Sequence, residues 1–192
     1  WAYPPAFLLV LTPLGYLSFS LAWVTFVALS TLASALAIRP LTGGRVQLLS
    51  AAALAPAFAP AFLMGQTSTL WAAGLVAALV ALHSDRPVLA GIFIGLLTFK
   101  PQLGLLIPVA LIAMGAWRTI FSAAATTALM IIIPTLVFGV AYWPALIDVM
   151  ALHSDTTRGS IEEITLMVSP YSFLAGLGLP EHVALGVQSG IT

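Results

Sequence analysis

The stretch Thr98-Phe99-Lys100-Pro101-Gln102 decides how this chain folds, because it places the only lysine of the sequence between two strongly apolar runs. Neither run, 88–97 or 103–116, contains an ionisable side chain. A lysine at the centre of a membrane costs roughly 2.5 to 3.5 kcal/mol on insertion scales. If the surroundings are membrane, Lys100 is therefore a candidate functional residue.

The composition indicates that the surroundings are membrane. Hydrophobic residues make up 61% of the chain and charged residues 6%, and the mean hydropathy is +1.11. Soluble domains carry a charge on about a quarter of their residues. We therefore predict an all-α fold, a polytopic transmembrane helical bundle of about six to seven spanning or half-spanning helices with an outer loop.

Basic and acidic residues are divided along the chain. All basic residues but Arg158 precede position 120, and all acidic residues but Asp85 follow it. This asymmetry indicates membrane topology and gives no reason to expect nucleic-acid binding. Cysteine is absent, which excludes a disulfide framework, a thiolate metal site and a thiol nucleophile within this sequence. We predict no metal and no cofactor.

Apolar runs separated by short polar turns predict the helices. A half-helix is followed by a span that ends at Arg39-Pro40, a span kinked by Pro56 and Pro60, and a returning run after the outer turn at Gln66. A later span is interrupted by Pro134. The corresponding ranges are 6–14, 17–38, 46–64, 70–82 and 119–140.

Residues 88–117 decide the architecture. As one helix they would be roughly 45 Å long and would place Arg86 and Arg118 on opposite faces of the membrane. As two helices that meet at Lys100-Pro101, they keep both arginines cytoplasmic and place the lysine roughly 21 Å up a 30 Å core. We predict the two-helix hairpin, with Gly91 and Gly95 allowing close helix packing.

The chain is expected to be a single transmembrane domain and a fragment of a longer protein. Residues 1–141 form the predicted membrane core, 142–170 an extracytoplasmic loop, and 171–192 the start of further membrane helices. Within the loop we predict a short surface helix at 145–152 and an acidic, irregular segment at 154–163. Pro180-Glu181 should open a last helix.

Polar side chains collect at the predicted outer side of this bundle. They are Tyr3, Gln66, Lys100, Gln102 and Tyr171. Two interpretations of Lys100 remain open on these grounds. It is either an interfacial anchor whose ammonium reaches the outer water, or a cation that lines a polar cavity and binds an anionic group such as a phosphate.

Four motifs in order resemble one family. They are Tyr3-Pro4-Pro5, Gly65-Gln66-Thr67 after the proline-broken span, Arg86-Pro87-Val88-Leu89-Ala90-Gly91, and Lys100-Pro101-Gln102. Together they resemble glycosyltransferase family 87, the polyprenyl-phosphate-mannose-dependent α-mannosyltransferases of the GT-C superfamily. Residues 140–192 match only in pattern, by an outer loop and a Ser-Pro-Tyr motif before a short helix.

This resemblance implies an inverting hexosyl transfer, usually of mannose, from a polyprenyl-phosphate sugar to a lipid-linked or glycan acceptor. The reaction would occur at the extracytoplasmic face of the plasma membrane and serve a cell-envelope glycan. Lys100, Gln102, Gln66, Tyr3 and Tyr171 would bind substrate. The family's catalytic aspartate lies in a first outer loop that would precede Trp1, so we expect no catalytic residue in this sequence and no activity of the fragment alone.

Two other classes remain as alternatives. A multi-pass transporter or permease also uses broken helices with a polar residue at the break. A structural membrane subunit would use its glycines and alanines for packing alone.

Overall fold

The computed structural model describes residues 4–47, 65–159 and 170–191, and in these ranges the regular structure is entirely helical. The α-helices are α1 Pro5–Leu11, α2 Phe19–Thr42, α3 Ser68–His83, α4 Pro87–Leu96, α5 Ile107–Ala113, α6 Trp117–Phe138, α7 Tyr142–Gly159, α8 Pro170–Gly176 and α9 Glu181–Ile191. Short 3₁₀ helices cover Thr12–Tyr16, Leu97–Phe99 and Pro101–Leu103. The all-α prediction is confirmed, whereas the number of membrane crossings stays a prediction.

The helices belong to two compact units. Helices α1 to α6 form one unit, and α7 to α9 form the other. Lys100 and the residues that contact it belong to the first unit.

Among the residues that the structure describes, two helices are long and apolar enough to cross a membrane, and both belong to the first unit. Helix α2 has 24 residues at a hydropathy of 2.0, and α6 has 22 residues at 2.1. In the most apolar 18-residue stretch of each helix, only 17% of α2 and 6% of α6 is buried within the structure. A core helix of a soluble protein would be mostly buried, so these exposed apolar surfaces fit contact with lipid.

Helix α2 continues past the point where the sequence predicted its end. It includes Arg39 and Pro40 and ends at Gly43, whose φ of 59° is the left-handed conformation that glycine adopts without a Cβ clash. The Gly44 N–H then donates to the Arg39 carbonyl at 3.2 Å. The prediction of an end at Arg39-Pro40 is therefore wrong, because a proline removes one hydrogen bond to the preceding turn and the residues after it keep their own N–H donors.

Glycines allow helix α4 to pack closely against α6, as predicted. A Cβ added at Gly91 would lie 2.5 Å from the Thr119 carbonyl oxygen, and one at Gly95 would overlap the Thr126 side chain. The Ser122 hydroxyl also donates to the Val88 carbonyl across this interface at 2.8 Å. The small-residue pair thus serves helix packing, and it fixes the direction in which α4 carries the chain toward Lys100.

The second unit differs from the prediction at its start. Helix α7 runs from Tyr142 to Gly159, so the predicted short helix at 145–152 is extended at both ends, and the prediction of an irregular segment is wrong for 154–159. Helix α9 begins at Glu181 as predicted. The predicted kinked span at 46–64 lies almost entirely outside the described residues, as do Tyr3 and residues 160–163 of the acidic segment.

Candidate functional site

The backbone breaks at Lys100, as the sequence predicted. Helix α4 ends at Leu96, one 3₁₀ turn follows, and Lys100 then adopts a non-helical conformation with φ −132° and ψ 72°. Pro101 is the cause, because its ring disfavours the helical conformation in the residue before it. The second arm contains the 3₁₀ turn Pro101–Leu103 and the seven-residue α5, and this helix is shorter than the predicted apolar run.

The Lys100 side chain is buried and directed to the start of another helix. Only 8% of the residue is exposed, and its Nζ donates to Ser68 Oγ at 3.0 Å. Ser68 is the first residue of α3 and is itself exposed. The ammonium therefore lies where the partial positive charge of a 16-residue helix is strongest, and both features favour a bound anion.

A buried aromatic cluster holds the turn in place. Trp71 of α3 donates from its indole Nε1 to the Leu97 carbonyl at 3.2 Å. On the other side, the rings of Phe7 and Phe99 stack with centroids 4.9 Å apart and planes at 17°. These four residues form a buried cluster, and two of them, Leu97 and Phe99, lie directly before Lys100 in the chain. The lysine is thus positioned by packing from α1 and α3.

The turn that leads into α3 carries the predicted Gln66. Gly65 has a φ of 60°, and the side chain of the next residue, Gln66, is exposed. The Gln66 backbone carbonyl accepts a hydrogen bond from the Thr69 hydroxyl at 3.2 Å, which orders the turn. Gln66 is two residues from Ser68 in the chain, so its amide belongs to the same end of the unit as the lysine.

The two remaining predicted residues that the structure describes, Gln102 and Tyr171, belong to different units. Gln102 is exposed, two residues beyond Lys100, in the 3₁₀ turn that follows the break. Tyr171 belongs to the second unit, where its backbone N–H donates to Gln188 Oε1 at 3.1 Å.

Ser68 is the contact that the sequence analysis missed. A hydroxyl at the first residue of a helix, directly after the turn containing Gln66, was the available signal. The sequence could not show that Lys100 reaches this serine, because the two residues are 32 positions apart.

The arginines lie at the opposite end of the unit. A cavity of about 220 Å³ is lined by both Asp85 and Arg118, and a smaller one is lined by both Pro40 and Arg86. These groups are at the C-terminal ends of α2 and α3 and at the start of α6. Helix α3 separates them from Lys100 by roughly 24 Å, as expected for 16 residues. The arrangement agrees with the predicted hairpin; which side of a membrane each end faces stays a prediction.

Within the described ranges, no three residues among His, Asp and Glu come together in a way that could hold a metal ion.

Comparison with known protein families identifies the family to which the chain belongs. The family model described as glycosyltransferase family 87 matches residues 1–192, whereas no curated protein and no solved structure matches significantly. This match favours the transferase over the transporter and structural alternatives. With the two exposed apolar helices, it indicates a membrane protein. The chain therefore belongs to glycosyltransferase family 87.

Proposed function

We propose that this chain is part of a multi-pass membrane glycosyltransferase that takes a hexose, mannose in most members of the family it resembles, from a polyprenyl-phosphate donor. The family supports the sugar transfer. The observation that carries the choice of donor is the buried Lys100 ammonium, which is held at the N-terminus of α3 beside an exposed serine. The phosphate of a lipid-linked donor is an anion of the kind that the Lys100 ammonium and the N-terminus of α3 attract.

The reaction itself explains why a cation is useful there. The bond between the sugar C1 and the phosphate oxygen breaks, and its electron pair stays on the phosphate, so the donor's single negative charge becomes two on the leaving polyprenyl phosphate. Lys100 and the α3 N-terminus interact more strongly with the developing charge than with the bound donor. An interaction that strengthens in this way lowers the barrier to transfer.

Inversion requires the acceptor hydroxyl to attack C1 from the side opposite the phosphate and to lose its proton to a base. The family resemblance implies that this base is an aspartate. We give this role to neither Asp148 nor Asp155. Gln66 and Gln102, both exposed near Lys100, are proposed to donate hydrogen bonds to the phosphate or the sugar, and Tyr3 and Tyr171 to contact substrate.

The orientation follows from the distribution of the arginines. Arg86 and Arg118 lie at one end of the first unit and Lys100 at the other. The positive-inside rule places the arginine end in the cytoplasm, which puts Lys100 toward the extracytoplasmic side.

This orientation predicts opposite labelling of two single-cysteine variants. In a cysteine-free, full-length background, Gln102→Cys should react with a membrane-impermeant maleimide added to intact cells, since residue 102 is exposed near the outer end. Ser84→Cys, equally exposed at the arginine end, should react only after permeabilisation. Labelling of both variants from the same side would contradict the proposed topology.

The donor class is tested with the full-length enzyme in membranes. We expect transfer of labelled hexose from a polyprenyl-phosphate hexose and no direct transfer from a nucleotide sugar. Membranes from cells that lack the gene provide the control. Direct transfer from a nucleotide sugar, with none from the lipid phosphate, would show that the proposed donor is wrong.

A further inference from the structure

An apolar groove begins close to Lys100 in the chain and is lined by residues of five helices, α1, α2, α3, α4 and α6, and of the 3₁₀ turn after α4. It has a volume of about 460 Å³, and every described residue that lines it is apolar. Helix α3 contributes one face to its wall, formed by Leu70, Ala73, Gly74 and Ala77. The small residues of α3, together with the alanines that α2 contributes, leave the volume that larger side chains would fill.

Neighbours in the chain of both Lys100 and Ser68 line the groove at one end. Leu97 and Phe99 line it, and Lys100 is the next residue along the chain. On α3 the lining begins at Leu70, two residues after Ser68, which accepts the hydrogen bond from the Lys100 ammonium. The apolar wall of the groove therefore begins at Phe99, one residue before Lys100. A ligand whose phosphate binds Lys100 would have the start of its lipid chain beside this wall.

We propose that this groove holds the part of the donor's isoprenoid chain that is nearest to the phosphate. The inference rests on the proposed function and deepens it, because it states which part of the lipid the enzyme recognises. In a polyprenyl phosphate the phosphate is bonded directly to the first isoprene unit, and this matches the short step from Lys100 to Phe99. A glycerophospholipid places ester groups between its phosphate and its chains, and the groove's described lining has no polar side chain for them.

The length of the groove sets the length of chain that it recognises. From Leu70 to Ala77 the lined face of α3 rises by roughly 10 Å. This length holds only the first few isoprene units of a long polyprenol. The remainder of the chain would extend into lipid, where one apolar environment replaces another and little binding energy is gained.

A second apolar cavity near Lys100 is the alternative binding site for the isoprenoid chain. It has a volume of about 620 Å³ and lies against α4, α5 and α6, where it includes Thr98 and Pro101. None of the described residues of α3 lines it. Because the Lys100 ammonium bonds to Ser68 of α3, our proposal assigns the chain to the groove that α3 lines, although Thr98 and Pro101 of the second cavity are also close to Lys100 in the chain.

The test is the dependence of KM on donor chain length in the full-length enzyme. Three polyprenyl-phosphate hexoses serve as substrates, with one, three and about ten isoprene units. For the wild type we expect KM to fall by about tenfold or more between one and three units, because the second and third units add packing contacts with the groove wall. Beyond three units we expect a change of less than about threefold, since the groove has ended.

Substitution of a groove alanine should remove this chain-length effect. Ala77→Phe fills the groove from α3, and Ala33→Phe fills it from α2, so both should leave KM nearly the same for all three donors. Ala72→Phe is the matched control, because Ala72 lies on the exposed side of α3 and does not line the groove. Ala124→Phe fills the second cavity instead and should behave as the wild type.

The results separate the two proposals. Wild-type enzyme that uses none of the three donors contradicts the proposed function. Transfer with a wild-type chain-length effect in folded Ala77→Phe and Ala33→Phe overturns the groove assignment, and loss of the effect in Ala124→Phe alone assigns the chain to the second cavity. The thermal midpoint in detergent verifies folding, and the two groove variants on different helices allow one of them to fail to fold.

Discussion

Replacement of Lys100 by alanine in the full-length enzyme is expected to lower kcat/KM for the lipid-phosphate donor by about 10²- to 10³-fold, the usual cost of removing one group that stabilises developing charge. The fall should lie mainly in kcat, because the phosphate gains its second negative charge as the bond breaks. The measurement is hexose transfer by membranes that contain equal amounts of each variant.

Two neighbouring substitutions serve as controls for charge and position. Lys100→Arg retains the charge but replaces a compact ammonium with a wider planar group, so we expect it to recover only part of the rate. Ser68→Ala leaves the charge in place and removes one neutral hydrogen-bond partner, which should cost less than the loss of the lysine. A wild-type rate for a well-expressed Lys100→Ala variant would show that this residue does not act on the phosphate.

The second large effect is expected on stability, at the contact of α4 with α6. Gly91→Ala places a Cβ 2.5 Å from the Thr119 carbonyl oxygen and 2.8 Å from the Ala123 backbone nitrogen. Neither atom can move without displacing helix α6. The overpacking should lower the free energy of unfolding by about 1–3 kcal/mol, and Gly95→Ala should act in the same direction. Thermal unfolding in detergent, followed by circular dichroism, measures the change.

A glycine elsewhere in the chain provides the comparison for this prediction. Gly186 lies inside α9, and a Cβ added there meets nothing within 4 Å. Gly186→Ala should therefore be neutral or stabilising, since alanine has the higher helix propensity. Equal effects of Gly91→Ala and Gly186→Ala would show that the close approach of α4 and α6 contributes nothing to stability.

The sequence predicted the break at Lys100 because the reason for it is local. Pro101 restricts the residue before it, and the arginines near both ends of the segment exclude one long crossing. The contact at Gly91 and Gly95 was predicted for a similar reason: two small residues four positions apart lie on the same helix face. Features that depend on neighbouring residues in one chain segment were accessible without a structure.

Other features of the site depend on packing between distant segments. Nothing in the spacing shows that Trp71 donates to the Leu97 carbonyl, that Phe7 stacks on Phe99, or that the lysine bonds to Ser68. Gln66 and Gln102 were therefore predicted as the polar partners of Lys100, and Ser68 was not. The predicted end of α2 was too early, because a proline is tolerated in a last turn when a glycine in the left-handed conformation ends the helix.

The short distance from Arg86 to Lys100 along α4 has a consequence for the depth of Lys100 in the membrane. Helix α4 and its 3₁₀ turn rise roughly 21 Å from Arg86 to Lys100, less than the thickness of a 30 Å hydrocarbon core. In the proposed orientation, sugar transfer takes place in a recess below the membrane surface. Longer acyl chains in the surrounding lipid would deepen this recess, and shorter chains would bring Lys100 closer to bulk water. Access of a polar acceptor to the bound donor would then depend on bilayer thickness.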